Sequence, residues 1–171
     1  MDKITHVPTE TCTPSGFRNK LFNENEWKDK LNLGCGSEYL YGWTNLDYNK
    51  ETKADVYHDL EVTPLPFEDD QFDFVYAAHI LEHVQKLPEL KLELNRIIRT
   101  PGIMVVVVPY YTSPDAWGDD THCRAFSEMS FADMYWPGFG YQEVQHIPIT
   151  FSNGIEGTWL TASLGKLKPQ D

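Results

Sequence analysis

The stretch KLNLGCG at residues 30–36 decides the fold of this chain. Its first four residues predict a short strand, and the two glycines allow a tight turn in which backbone N–H groups can approach a ligand closely. Asp47 stands at the end of the next predicted strand, at 44–46. This combination favours a nucleoside site, because a carboxylate there can accept hydrogen bonds from two ribose hydroxyls. A simple strand-to-helix turn is the other interpretation.

Outward from this stretch, strands alternate with one clear helical pattern. Strands are predicted at 55–57, 72–78 and 103–108, and the spacing of the apolar residues predicts a helix over 88–99. Because 103–108 is apolar at every position, both faces of that strand should be covered, as in a parallel sheet between helices. A loop at 110–120, a short helix at 127–135 and two closing strands at 141–148 and 158–163 complete the prediction. The fold class is therefore α/β, with three Rossmann-like layers and a mostly parallel central sheet with an antiparallel edge strand.

Composition limits the class of protein. The chain has 171 residues, with 26 acidic and 14 basic side chains and a net charge of −12. This acidity argues against a direct nucleic-acid partner, and the longest apolar run is too short for a membrane span. The three cysteines, Cys12, Cys35 and Cys123, are widely spaced and odd in number, which favours a reducing cytoplasmic setting. We expect an N-terminal arm over 1–29 and one domain over 30–171.

Four segments resemble successive motifs of class I S-adenosylmethionine-dependent methyltransferases. They are LNLGCGS (31–37), NLDYN (45–49), HDLEVTPLPFEDDQFDFVYAAHILEHV (58–84) and NRIIRTPGIMVVVVP (95–109). The likeness is strongest to the small branch that starts near LNLGCG and carries a LEH turn, and it covers about residues 30–163. It implies a Rossmann-like methyltransferase fold, methyl transfer as the activity and S-adenosyl-L-methionine as the cofactor.

The resemblance also implies a set of cofactor contacts at the strand ends. Gly34, Cys35 and Gly36 would cradle the methionine end of the cofactor. Asp47 would bind the ribose, and Asp59 with Leu60 would flank the adenine. Ala78 and His79 would border the reacting methyl group. Asn32 stands where the family usually has an acidic residue, and its amide oxygen can still accept a hydrogen bond from an ammonium group.

Candidate catalytic and acceptor-binding residues follow the fourth and fifth strands. His79 and His122 are candidate bases because a histidine pKa lies near neutrality, and His83 and Asp115 are weaker candidates. The segment THCRAF (121–126) resembles an H-x-R-x-F segment of the same branch, so Arg124 would either contact the substrate or anchor the loop. Tyr110 and Tyr111, with Trp117, would form an aromatic wall or pack locally. The acceptor expected is a small metabolite or a sugar-type hydroxyl, and exposed aromatics could serve a homodimer.

Two other functions fit parts of the sequence. A protein that keeps the fold but lacks catalysis would explain Asn32 and the short space for a first helix between Gly36 and Asp47. A zinc peptidase is the remote alternative, because HILEH (79–83) matches the H-x-x-E-H pattern, with Glu128, Glu143 or Glu156 as the third ligand. That pattern follows a buried strand instead of lying within a long helix, so no metal site is expected.

Overall fold

The computed structural model describes residues 27–168. Its strands are β1 (Lys30–Leu33), β2 (Thr44–Asp47), β3 (Val56–Tyr57), β4 (Phe72–Ala78), β5 (Ile98–Pro109), β6 (Phe139–Thr150) and β7 (Glu156–Lys166). They form one seven-stranded sheet in the order β3-β2-β1-β4-β5-β7-β6. The strands from β1 to β5 pair in parallel, whereas β7 runs antiparallel to both β5 and β6.

The predicted α/β class is confirmed, with one difference in the sheet. The antiparallel strand β7 lies inside the sheet, between β5 and β6, so β6 forms the edge. The short connection at 151–155 makes β6 and β7 a hairpin, and β7 alone of the two carries a buried run, Leu160, Thr161 and Ala162, that can pack in the sheet interior. Both strands are longer than predicted because their pairing continues over the whole length of the hairpin.

Helix α1 (Leu87–Ile97) covers one face of the sheet. Its buried side chains Leu90, Leu94 and Ile97 belong to the main hydrophobic core, together with residues from β1, β4 and β5. Proline at the first turn suits the start of a helix, where no intrahelical N–H bond is lost. The helix ends two residues before the predicted end, because Ile98 already pairs with Phe72 of β4.

The opposite face of the sheet carries a second core. Trp43, Phe74, Tyr76, Val105 and Val107 belong to this cluster. Within residues 27–168, α1 is the only helix of more than one turn. The others are α2 (Asp115–Gly118) and two 3-10 turns, Glu128–Phe131 and Asp133–Tyr135. The described residues therefore supply the sheet and one helical layer of the three layers predicted.

Two predicted segments differ in detail. The helix predicted at 127–135 is the pair of 3-10 turns, because Ala132 between them is extended, with φ −60° and ψ 143°. Ser127 and Ser130 cap the first turn through reciprocal side-chain to backbone hydrogen bonds. The loop predicted at 110–120 contains α2, and the connection at 34–43 contains turns and no helix.

The strand register brings the predicted site residues to one edge of the sheet. Leu33 pairs with Leu46 on one side and with Ala77 on the other. Gly34 therefore lies between Asp47 and Ala78, at the carboxyl ends of three parallel strands, which is where ligands bind in open α/β sheets.

The predicted arm at 1–29 lies outside the described residues except for its last three. The N–H groups of Lys28 and Asp29 donate to the carboxylate of Asp73, which ties this part of the chain to β4. No helix within 27–168 has the length and apolar character needed to cross a membrane.

Candidate active site

The two glycines of the turn after β1 are fixed by different surroundings. Gly34 has φ +68°, and a Cβ there would lie 2.7 Å from Cδ1 of Ile80. Gly36 has φ +51°, and a Cβ there would meet nothing within 4 Å. Both positions favour glycine because their φ is positive. Gly34 is thus required by packing as well, whereas Gly36 leaves its backbone open to a ligand.

Asp47 connects this turn to β2. The residue is 7% exposed, and its carboxylate accepts the Gly36 N–H at 2.7 Å and the Asn49 N–H at 2.8 Å, one on each oxygen. Each carboxylate oxygen has a second lone pair, so Asp47 can hold the turn and still accept a hydrogen bond from a ribose hydroxyl. The predicted ribose residue therefore has the right position and the right free acceptors.

Asn32 and Cys35 lie below the turn in the protein interior. The Asn32 amide donates to the Glu38 carbonyl at 2.8 Å and to the Asn45 side chain at 3.1 Å, so its N–H groups hold the connection between β1 and β2. Cys35 donates its N–H to the Leu46 carbonyl at 2.9 Å. Burial, with the negative charge of Asp47, raises the pKa of the Cys35 thiol to about 11. This thiol is therefore a neutral packing group at physiological pH.

The predicted adenine residues directly follow β3. The His58 N–H donates to the Asp47 carbonyl at 3.0 Å, so the chain leaves β3 at the same sheet edge as the glycine turn. Asp59 is exposed and accepts the Glu61 N–H at 2.9 Å, and Leu60 is buried in the main core. Together these residues fit the cofactor, because they offer a glycine cradle, a carboxylate for the ribose and an exposed carboxylate for an amine.

His79 lies at the end of β4, beside the cofactor turn. It has a positive φ of 52°, which is unusual for a residue other than glycine and is typical of functional sites. Its N–H donates to the Val107 carbonyl at 2.8 Å, and its ring packs against the ring of Trp159 at 4.4 Å between centroids. The Nδ1 atom lies 3.4 Å from Oε1 of Glu82.

His79 also lines a cavity of about 580 Å³. The polar lining consists of three histidines, three acids and one amide: His79, His83, His122, Glu82, Asp115, Asp119 and Asn153. The aromatic lining, Phe151 and Trp159, comes from the β6–β7 hairpin. None of the described residues that line it is Lys or Arg. The cavity is therefore electronegative and has a volume typical of a small-molecule site.

Two of the acids in the cavity, Asp115 and Asp119, are held by hydrogen bonds within the protein. Asp115 accepts the indole N–H of Trp159 at 3.0 Å and the hydroxyl of Ser113, so it fixes the tryptophan ring. Asp119 accepts the backbone N–H of Thr121 at 2.8 Å and its hydroxyl. The Thr121 hydroxyl, followed by its N–H, lowers the pKa of Asp119 from its usual range. Both carboxylates are oriented by the loop that follows β5.

The three predicted substrate residues lie outside this lining. The Tyr110 hydroxyl donates to Glu128 at 3.1 Å, and burial together with that carboxylate raises the pKa of Tyr110 to about 12. Tyr111 packs edge-on against Tyr110. Arg124 donates to the carbonyls of Val84 and Gln85 at 2.7 and 2.9 Å. The structure thus favours packing for the tyrosines and the anchoring role for Arg124, and substrate contact by any of them stays a prediction.

The sequence prediction missed Trp159, Phe151, Asp119 and the part played by Glu82. Trp159 reaches the cavity because it pairs with Pro109 across β5 and β7, which nothing in the local sequence signals. Glu82 was visible only as part of the H-x-x-E-H pattern. The two main candidate bases from the sequence, His79 and His122, both line the cavity.

The order of the sheet and the geometry of the glycine turn can be compared with a known class of protein. A sheet of this order, with a Gly-x-Gly turn after β1 and a carboxylate at the end of β2, is the architecture that the sequence resemblance implies, that of class I methyltransferases. Residues 31–106 match the family model described as a methyltransferase domain. The predicted resemblance is confirmed by this match.

Comparisons with particular proteins agree. An S-adenosylmethionine-dependent methyltransferase from Mesorhizobium loti superposes with a TM-score of 0.65 at 17% identity, covering 89% of this chain and 96% of that one. One from Methanosarcina mazei gives 0.65 at 14% identity, covering 90% and 98%. At these identities the likeness shows the fold. An uncharacterized protein of Methanocaldococcus jannaschii is 34% identical over 96 residues, and the match covers 46% of this chain and 39% of that protein.

The domain match shows that residues 31–106 are similar to methyltransferase domains, and the structural neighbours show that the chain shares their fold.

Proposed function

We propose that this chain transfers the methyl group of S-adenosylmethionine to a hydroxyl of a small metabolite or sugar-type acceptor held in the cavity. The observation that carries the proposal is the position of His79. It follows Ala78, the last residue of β4 at the sheet edge where the cofactor would bind, and it also lines the cavity. The acceptor would therefore meet the methyl end of the cofactor at this residue.

On the cofactor side, the chain contributes positioning. Asp47 accepts the ribose hydroxyls while it holds Gly36, and Asp59 offers a carboxylate to the adenine amine. The glycine turn lets the methionine end approach the backbone. When bound, the cofactor supplies an electrophilic methyl group on a cationic sulfonium. Holding it at a fixed distance from the acceptor is the main contribution that the protein makes to the rate.

On the acceptor side, His79 can take the proton that the hydroxyl loses. Its Nδ1 faces the Glu82 carboxylate at 3.4 Å, and a tighter contact in the complex would keep the proton on Nδ1. The Nε2 atom has no hydrogen-bond partner among the described residues, so it is the base, and because it is buried the ring must turn to present it to the acceptor. His122 is the second candidate, with Nδ1 against the Ala116 carbonyl at 3.3 Å.

The charge of the cavity supports an uncharged acceptor. Glu82, Asp115 and Asp119 line it without a Lys or Arg, so a phosphorylated acceptor would be repelled. Carboxylates accept hydroxyl protons well, and the Trp159 ring offers an apolar surface for the C–H face of a sugar. These features favour a neutral polyol.

The first test separates binding from turnover. Titration calorimetry with S-adenosylhomocysteine should show binding by the full chain and no detectable binding by Asp47→Ala. Mass spectrometry of a panel of sugars and small hydroxylated metabolites should then find a product 14 Da heavier, the mass of one added CH₂. His79→Gln should keep cofactor binding and lose at least about 100-fold in turnover, the low end for removing a general base.

His146→Gln is the matched control, since it removes an imidazole that lies outside the cavity lining. No heat with millimolar S-adenosylhomocysteine, or equal binding by Asp47→Ala, would contradict the cofactor site. Turnover of amines in place of hydroxyls would contradict the acceptor class.

A noncatalytic cofactor-binding protein is the second candidate. The observation that favours it is Asn32, whose N–H groups are used within the protein and which brings no negative charge to the methionine ammonium. Binding of S-adenosylhomocysteine without turnover of any acceptor in the panel would select this function over the first.

We also propose a cytoplasmic homodimer without direct nucleic-acid contact. The free thiols of Cys35 and Cys123 and the net charge of −12 support the location and the exclusion of nucleic acid. Trp117 is 70% exposed and is the largest apolar side chain available to a dimer interface near the cavity. Light scattering should show a dimer that Trp117→Ser converts to a monomer.

A further inference from the structure

Glu82, His83 and His122 form a cluster of potential metal ligands in the cavity wall. One donor atom from each lies within 4.8 Å of the other two. Glu82 and His83 are neighbours in the turn after β4, and His122 comes from the loop after α2. Cys123 holds these segments together, because its N–H donates to the Glu82 carbonyl at 2.9 Å and its thiol to the same oxygen at 3.1 Å.

The Glu82 carboxylate is the second, independent observation. Its side chain is 1% exposed, and neither oxygen has a hydrogen-bond partner among the described residues. The nearest imidazole nitrogen, Nδ1 of His79 at 3.4 Å, does not form a hydrogen bond with it. A buried carboxylate without a partner is costly, and a bound cation removes that cost.

Each imidazole of the cluster has one ring nitrogen engaged in a hydrogen bond within the protein. His122 Nδ1 faces the Ala116 carbonyl, so this nitrogen carries the proton and Nε2 keeps its lone pair. The Thr121 hydroxyl donates to Asp119 and therefore accepts from His83 Nδ1 at 2.9 Å, which leaves Nε2 of His83 free as well. Hydrogen bonds from the second ring nitrogen to a carbonyl or a carboxylate are typical of metal-binding histidines.

We propose that Glu82, His83 and His122 bind one divalent first-row transition metal ion, with an open coordination position towards the cavity. Two imidazoles and one carboxylate are the donor set of catalytic zinc sites and of non-haem iron(II) sites. Ligands about 2.1 Å from a tetrahedral ion lie about 3.4 Å apart, so donors that lie within 4.8 Å of one another need to close by up to about 1.4 Å.

The site differs from the peptidase pattern that HILEH suggests. Residues 79–86 form a turn and not a helix, and His79 is outside the cluster. Glu82 is a ligand here, whereas in that pattern it would activate a metal-bound water. His122 takes the third position, which the sequence pattern assigned to Glu128, Glu143 or Glu156. The proposal replaces the sequence expectation of no metal, and it assigns to the metal the Glu82 carboxylate that the proposed function places beside His79. Its test does not depend on methyl transfer.

The test measures binding alone, in the full chain freed of metal by a chelator. Competition with a chromogenic chelator should give one tightly bound Zn²⁺ per chain, and an anaerobic Fe²⁺ titration distinguishes the two ions. Glu82→Gln and His122→Gln should each lower affinity by at least about 100-fold, the upper range for outer contacts, and Thr121→Val by about 10-fold. Removal of a ligand should also change the visible spectrum of the Co²⁺-substituted protein.

His146→Gln is the matched control and should bind as the unmodified chain does. Equal affinity of the unmodified chain, Glu82→Gln and His122→Gln would overturn the proposal, as would binding far below one ion per chain. Thermal melting of each variant confirms folding before titration. If Glu82→Gln does not fold, His122→Gln decides, because the side chain of His122 is less buried than that of Glu82.

Discussion

Gly34→Ala offers the sharpest test of how the glycine turn is built. An alanine at φ +68° has a strained backbone, which costs about 1–2 kcal/mol. Its Cβ would also lie 2.7 Å from Cδ1 of Ile80, and overpacking of this kind costs about 1–3 kcal/mol. The free energy of unfolding should therefore fall by about 2–5 kcal/mol.

Gly42→Ala is the matched control. Gly42 has φ +79°, and a Cβ there meets nothing within 4 Å, so only the backbone cost of about 1–2 kcal/mol applies. Gly36→Ala should cost the same in stability. It should also weaken S-adenosylhomocysteine binding, because its backbone is the part of the turn open to a ligand. Urea unfolding at constant m-value measures the stability of all three variants.

The double variant Gly34→Ala/Ile80→Ala tests the cause. Removing the Ile80 side chain beyond Cβ should reduce the cost of Gly34→Ala towards the value found at Gly42, with a coupling free energy of about 1–3 kcal/mol, and the Cβ that remains 2.9 Å away keeps part of the cost. Equal costs for Gly34→Ala and Gly42→Ala, or a cost at Gly34 that Ile80→Ala does not change, would refute the packing argument.

Three further predictions follow from single contacts. Asp47→Ala should lower the free energy of unfolding by about 1–3 kcal/mol, because two backbone N–H groups lose their acceptor, and urea unfolding without ligand measures this. Hydrogen bonds from Arg96 lower the pKa of Glu93 from 4.5, so the ionised Glu93 carboxylate stabilises the folded state. This stabilisation is present above pH 4.5 and is lost as the pH falls through the pKa of Glu93 in the folded protein. Glu93→Gln should flatten the acid limb of a stability profile measured between about pH 3 and 6, and an unchanged limb would contradict this. The raised pKa of Cys35, about 11, should make its alkylation at mildly alkaline pH much slower than that of exposed Cys123, and equal rates would refute the buried placement.

Local apolar patterns predicted the parallel strands well. The strand predicted at 72–78 has the observed bounds, and the glycine turn and Asp47 lie where the sequence places them. The sequence prediction started β5 too late, because Ile98 fits the helical spacing of the apolar residues before it. Only the pairing of Ile98 with Phe72 places it in the sheet. The same kind of pairing puts β7 inside the sheet instead of at its edge.

The two halves of the site differ in how far the sequence predicts them. Cofactor residues lie at the ends of successive strands, so a strand prediction already brings them together. The acceptor cavity depends on the antiparallel register that sets Trp159 beside Pro109, and on a loop that sets His122 beside His83. These contacts join segments about 40 to 50 residues apart, and no local pattern encodes them.

The tip of the β6–β7 hairpin has a consequence for how this protein can change. Phe151 donates its N–H to the Ile155 carbonyl at 2.8 Å, and Phe151, Asn153 and Ile155 all line the cavity. The tip is exposed and closes a five-residue connection, and doubling the length of such a loop costs only about 0.6 kcal/mol. Evolution can therefore lengthen or rewrite 151–155 and admit a different molecule to the cavity while the sheet, the glycine turn and their folding are inherited intact.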